Sequence, residues 1–308
     1  MSDIEQIEWH YYVTPDGLEH NLADYHLRSL PGGIGNLGMP TVEWQTTRGP
    51  YQHGKTVHDY RLRPRTVQLQ AYWTGCSRDE YWRLRSEILD IFRPNRSATN
   101  LPGRLRTVRR DGSMRDLWCY VLDGPVFPQG DPKAWQEWAV EDTVRLIAFD
   151  PVLFDPAGTT TDIITIENEL VFPINPFIIW GPMAAIAVNA NITYAGTWRE
   201  WPTLTFVGPL EAPLVRNVTL DLEIGFNYTI TGGRTVTVDL TPGRKTVTDD
   251  LGNNLLAYIS EDSDLAEFRL ECDPIAAGGI NAMYAQASGV MNGVSQINIE
   301  WLNRYIGV

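Results

Sequence analysis

The stretch GKTVHDYRLRPRTVQLQAYWTGCSRDEYWRLRSEILDIFRPNR, residues 54–96, decides the fold. From Arg61 to Trp73, Leu62, Val67, Leu69, Ala71 and Trp73 recur at mostly two-residue spacing among Arg63, Arg65, Gln68 and Gln70. That alternation is the pattern of a half-buried strand. Pro64 has no amide proton for a ladder, so this end is expected to be an edge or a bulge. Gly75-Cys76 turns the chain, and Ser77-Arg78-Asp79-Glu80 has the spacing of a capping box. Tyr81, Leu84, Ile88 and Phe92 then fall on one helical face, with Leu89 and Ile91 beside them. Pro94 ends the helix.

Outward from this unit the patterns are mostly strands. Ile7–Val13 reads as a first strand and Leu18–Leu27 as a second. The Gly-rich Pro31–Met39 is expected to be a flexible loop, because it lacks both the dinucleotide spacing and a Gly-Lys-Ser/Thr ending. Leu105–Arg110 and Met114–Leu122 flank Asp111-Gly112, a two-residue hairpin signal. Trp135–Phe149 is a further strand, with a break expected near Asp142. One helix on several strands gives a first domain that is a β-sandwich or open barrel. Two Asp-Pro turns between Asp150 and Thr160 mark a boundary, dividing the chain into 1–155 and 156–308. Beyond it lie only short strand patterns, Phe177–Trp180, Asn254–Ile259 and Glu267–Glu271 among them, with a hairpin signal at Gly232-Gly233 and a turn at Gly252-Asn253. These predict a second sandwich.

The formal charge of −13 is unevenly placed. Residues 1–150 hold 18 Lys+Arg against 20 Asp+Glu, a balance of −2, and the remainder holds 7 against 18, a balance of −11. A uniform nucleic-acid binder is expected to be basic; the acidic half repels DNA and suits a surface past which DNA slides. No apolar run reaches about 18 residues, so no membrane-spanning helix is expected. The acidic N-terminus argues against a secretory signal. Cys76, Cys119 and Cys272 are odd in number and far apart, which fits free thiols made in a reducing cytosol, with a Cys76–Cys119 bridge left open.

Little catalytic chemistry is visible. His53 and His58, beside Asp59, would point to opposite faces of a strand, so no metal site is expected. Glu167 and Glu169 share a strand face, as do Asp221 and Glu223, and such pairs satisfy the spacing for glycoside hydrolysis. Exposed acids on a strand face more often serve solvation, so a glycosidase stands third among the readings. Trp198 and Trp201 flank Arg199-Glu200, a possible sugar or partner contact. Arg93, Arg96, Arg104, Arg106, Arg109 and Arg110 form a basic cluster with few acids nearby in sequence. Subunit pairing is its expected use, and Arg61, Arg63, Arg65, Arg104, Arg106 and Arg109 are the candidate interface residues. No catalytic residue, metal ligand or cofactor site is expected.

The order of motifs resembles that of the distal tail proteins, the baseplate-hub ring components of long-tailed non-contractile bacteriophages. The carriers are Tyr60-Arg61 leading through Trp73 to the Arg78–Phe92 helix, Ala148–Asp155, Trp201–Pro209 with Pro213 and Asn217, Thr237–Asp239, Lys245–Val247, Gly252-Asn253, Ser263–Leu265 with Phe268, and Tyr305–Gly307. Leu270–Asn281 stretches the family's pattern before its last strands. The resemblance implies a tail-tube-type first domain that closes a hexameric ring, and a galectin-like second domain. It implies tail tube and tail tip hub proteins as partners, DNA passing through the lumen without sequence-specific binding, no membrane, and a place at the virion tail tip after synthesis in the host cytoplasm. A carbohydrate-binding adhesin of the tail tip, using Trp198 and Trp201, is the alternative.

Overall fold

The computed structural model describes residues 8–22, 27–74, 77–127, 139–165, 183–290 and 294–308. Gly75-Cys76, Trp135–Trp138, Glu167, Glu169 and an expected strand at Phe177–Trp180 lie outside the described residues. The chain divides into two compact units, Met1–Pro156 with Tyr305–Val308, and Ala157–Arg304. Both are built mainly of strands, and the described residues hold one α-helix.

Unit one contains β1 (Glu8–Val13), β2 (Glu19–Asn21), β3 (Leu27–Gly35), β4 (Val42–Thr47), β5 (Thr56–Leu62), β6 (Arg65–Thr74), α1 (Arg78–Phe92), β7 (Gly103–Arg109), β8 (Met114–Asp123), β9 (Ala139–Ala148) and β10 (Leu153–Phe154). Its main sheet runs β2-β1-β7-β8-β9-β6-β3, with β10 added on β8, and does not close into a barrel. The strand expected from Arg61 to Trp73 is two strands. Pro64 ends one ladder, and the chain leaves the separate β4–β5 pair to enter the main sheet. Within β6 the inward slots are Arg65, Val67, Leu69, Ala71 and Trp73, all 1 % exposed or less. The helix starts where expected: the Ser77 hydroxyl accepts from the Glu80 amide at 3.3 Å. It buries Tyr81, Leu84, Ile88, Ile91 and Phe92 against the sheet, with Phe92 5.1 Å from the Tyr12 ring. Leu89 turns to solvent at 46 % exposure.

Two local expectations are corrected here, and the hairpin expected at Asp111-Gly112 is present. Pro31–Gly35 belongs to β3 and not to a loop; the glycines and Pro31 sit where its register against β6 shifts between Ser29 and Ile34. The β9 ladder runs unbroken through Asp142, whose carboxylate accepts the amides of Val126 and Phe127. The β7–β8 hairpin turns over Arg110–Gly112, closed by the Arg109 amide on the Ser113 carbonyl at 2.9 Å, with Gly112 at φ 82°.

Unit two contains β11 (Thr159–Thr165), β12 (Met183–Thr193), β13 (Thr203–Val207), β14 (Leu210–Asn217), β15 (Leu222–Gly225), β16 (Thr229–Ile230), β17 (Thr235–Asp239), β18 (Thr246–Asp249), β19 (Ile280–Val290) and β20 (Gln296–Trp301). They form two five-stranded sheets, β11-β20-β13-β17-β18 and β12-β19-β14-β15 with β16 on β14. One core fills the space between them: Leu204, Phe206, Val236 and Ile297 from one sheet, Val215, Ile224, Met283 and Ala285 from the other. Gly232-Gly233 is not a hairpin turn, because β16 and β17 belong to different sheets. Asn254–Ile259 is a 3-10 turn over Leu256–Tyr258 flanked by single bridges, and Glu267–Glu271 is irregular, so neither is a strand. The stretched Leu270–Asn281 segment is held by buried Asn281. Its amide oxygen accepts from Glu271 N and Asn217 Nδ2, and its Nδ2 donates to the carbonyls of Glu271 and Gly279.

Candidate assembly surface

Unit one leaves two apolar surfaces uncovered. The first is the β4–β5 ribbon, whose strands pair only with each other among the described residues. A lone two-stranded ribbon is marginal in water. This one is held by its own contacts. Trp44 lies opposite Tyr60 with rings 5.6 Å apart. Arg63 Nη2 reaches Glu43 at 3.1 Å, and the Arg63 amide donates to the Thr41 carbonyl at the base. His58 Nε2 lies 2.6 Å from the Thr47 hydroxyl. Yet Trp44 stays 59 % exposed, Val57 56 %, and Tyr51 at the tip wholly exposed with φ 62°.

The second surface is the outward face of β8. Arg115, Leu117 and Cys119 point inward and are buried, while Met114, Trp118, Tyr120 and Leu122 alternate with them and stay exposed. Trp118 stacks on Phe154 at 5.0 Å and Tyr120 lies 5.7 Å from Phe149, which is 63 % exposed. Large aromatic groups gathered on one open face are a mark of interaction surfaces. The signal was in the sequence as Trp118, Tyr120 and Leu122 at even spacing, opposite Leu117, Cys119 and Val121.

The candidate arginines fall into three environments. Arg104 and Arg106 are not an open basic patch. Asp116, fully buried on β8, accepts Nε and Nη2 of Arg106 at 2.8 and 2.9 Å and Nη1 of Arg104 at 3.3 Å. Arg106 also reaches Glu19 at 2.9 Å, and its bonds to Asp116 hold its proton more tightly than usual. Arg96 is likewise spent on Asp16 and Asp90, and Arg93 on Asp90. The acids were missed because they come from a turn, the helix and the neighbouring strand. The Thr14 hydroxyl, and after it Arg96, lowers the Asp16 carboxyl to about 2.

Arg65 is interior, 1 % exposed. Its guanidinium donates to the carbonyls of Asn36 at 3.1 Å and Ile306 at 2.9 Å, pinning the returning tail Tyr305–Val308 to unit one. Arg115 lies over the Tyr305 ring in the same region. Arg61 and Arg63 stand exposed on the ribbon stem, and Arg109 is half-buried at the end of β7.

In unit two, Trp201 packs against the sandwich core. Trp198 is half-buried, with the Arg199 guanidinium 5.5 Å from its ring and its carbonyl accepting the Tyr194 hydroxyl at 2.5 Å. The two tryptophans therefore do not form one open stacking platform. Asp221 is taken by Arg216. No group of three His, Cys, Asp or Glu among the described residues is placed to hold a metal ion.

No family model matches the sequence, and no curated protein matches it. Solved structures do. The crystal structure of the Dit (gp 19.1) protein of SPP1, described as a paradigm of the hub adsorption apparatus in phages infecting Gram-positive bacteria, aligns over 97 % of this chain and 99 % of that one, with TM-score 0.63 and 12 % identity. The phage p2 baseplate in its activated conformation, with Sr and with Ca, aligns over 96 % of this chain and 98 % of that one, with TM-scores 0.48 and 0.47 and 8 % and 9 % identity. The fold of this chain is that of the SPP1 Dit protein along nearly its whole length.

Proposed function

We propose that this chain is a distal tail hub protein of a long-tailed, non-contractile phage. It is a structural component and not an enzyme. Six copies close into a ring through unit one, join the tail tube to the tip proteins, and leave a lumen through which DNA passes. Its place is the virion tail tip. Fold alone does not give function. The observation that carries the reading is the surface of unit one: an aromatic ribbon and an aromatic sheet face, both uncovered in a single chain. Among the described residues β2 and β3 are the margins of the main sheet, and ring closure can pair or cover such edges.

The adhesin reading draws less support, because Trp201 is committed to the core of unit two. Native mass spectrometry of the full chain, alone and with its tail tube protein, tests the proposal: a closed six-copy species supports it. A chain that stays monomeric in both samples and binds cell-wall glycan would favour the adhesin instead.

A further inference from the structure

We propose that the β4–β5 ribbon of one copy docks on the outward face of β8 in the next copy, with Trp44 seated among Trp118, Tyr120 and Phe149. This rests on the hub-ring reading and names the two halves of its contact. The two surfaces are different patches on one chain, so joining them is a head-to-tail contact, the type that generates rings when the rotation closes.

Charge selects this arrangement over the self-paired ones. The exposed charges of residues 41–63 are Arg48, Lys55, Arg61 and Arg63 against Glu43 and Asp59, a balance of +2. The exposed charges of residues 114–127 and 139–155 are Arg145 against Asp123, Glu141 and Asp150, a balance of −2; Arg104, 5.3 Å from the Trp118 ring, and Arg106 are offset by Asp116 and Glu19 and leave that balance unchanged. Ribbon on ribbon sets positive against positive, and sheet face on sheet face sets negative against negative. Only ribbon on sheet face brings opposite signs together, which both speeds encounter and rejects the wrong pairing. The apolar parts match in kind as well: Trp44, Tyr60 and Val57 meet Trp118, Tyr120 and Phe149, the residue types that dominate interface energies. The ribbon, marginal alone, gains a surface to rest on.

The test is a cross-link between two variants of the full chain, Trp44→Cys and Phe149→Cys, each with Cys76→Ser and Cys272→Ser. Cys119 stays, because burial pushes its thiol up to about 12 and leaves it inert in the folded protein. Mixing the two variants with a short bismaleimide is expected to give a cross-linked dimer. Neither variant alone should cross-link, and the double variant should give a ladder of higher species. If rings form but the mixture does not cross-link, or Trp44→Cys links to itself, the docking is wrong and the ring reading stands. If the parent chain stays monomeric from about 1 to 100 µM and the mixture gives no link, both fail. As a second readout, Trp44→Asp is expected to raise the concentration needed for assembly about 30-fold or more. It should leave the thermal midpoints of both units unchanged, since Trp44 lies outside the cores. Unchanged assembly in Trp44→Asp would also overturn the docking.

Discussion

The two units solve the same problem and finish it differently. Each packs strands around its own core, with Trp73, Leu117 and Leu146 among the buried residues of one and Phe206, Leu204 and Ile297 among those of the other. Their surfaces diverge. Among the described residues, unit one exposes Trp44, Tyr51, Trp82, Trp118, Tyr120 and Phe149, whereas the exposed aromatic of unit two is Tyr258. Charge diverges as well, near neutral in residues 1–150 and acidic beyond. Among the described residues, unit two exposes scattered aliphatic side chains such as Val218, Leu251 and Ile275 and gathers no aromatic face. Unit one has a complete interior and an incomplete exterior, which is what a subunit awaiting its neighbours requires.

The contrast is sharpened first by breaking each interior. Asp116→Ala removes the acid that holds Arg104 and Arg106, leaving Arg104 without its carboxylate and Arg106 with Glu19 alone, at a cost of about 3 kcal/mol. Urea unfolding is expected to show the unit-one transition moving to lower denaturant while that of unit two stays. The exposure of Cys119 to a thiol reagent provides an independent marker for unit one, because the folded protein buries it completely. Asn281→Ala is the converse. It strips four hydrogen bonds from a buried site in unit two and is expected to cost about 2–3 kcal/mol there, leaving unit one unchanged. If both substitutions shift one common transition, the units are not separate folding entities.

Trp44→Ala addresses the exterior. It should change the stability of the single chain by less than about 0.5 kcal/mol, because the side chain is outside the core. It should weaken assembly by about 2 kcal/mol, read by sedimentation across a dilution series. The smallest expected effect is electrostatic. Asp16 is held below its ordinary value by Thr14 and Arg96, so its contribution is present above the unfolded carboxylate range near about 4. That contribution fades as pH falls from there toward about 2. The thermal midpoint of Asp16→Asn should therefore lie below that of the parent at pH 6 and meet it at the acid end. A constant gap across that window would mean the Asp16–Arg96 pair is not what the substitution removes.

Much of the interior was legible in residues 54–96. The Ser77 cap, the apolar face of α1 and the inward parity of β6 all follow from local spacing, which short-range geometry enforces. Pro64 was readable as an interruption but not as the point where the chain changes sheets, because that depends on which strand the next segment pairs with. Arg65 shows the same limit. It occupies an inward slot of β6, yet its acceptors are Asn36 and the distant Ile306, which no local pattern reveals. The Arg104–Arg106 cluster read as an open patch because its neutralising acid, Asp116, becomes its neighbour only through the β7–β8 register. The ribbon was missed for a different reason: Val42–Thr47 mixes Glu43, Trp44 and Gln45 without a clean apolar alternation, as expected for a strand with no core to face.

The most direct measurement is the mass of the intact assembly formed by the full chain at high concentration, taken beside Trp44→Asp under the same conditions. The account expects closed six-copy rings for the parent and single chains for the variant, with unit one folded in both. A parent that remains a single folded chain, or a variant that closes rings as readily as the parent, would contradict it.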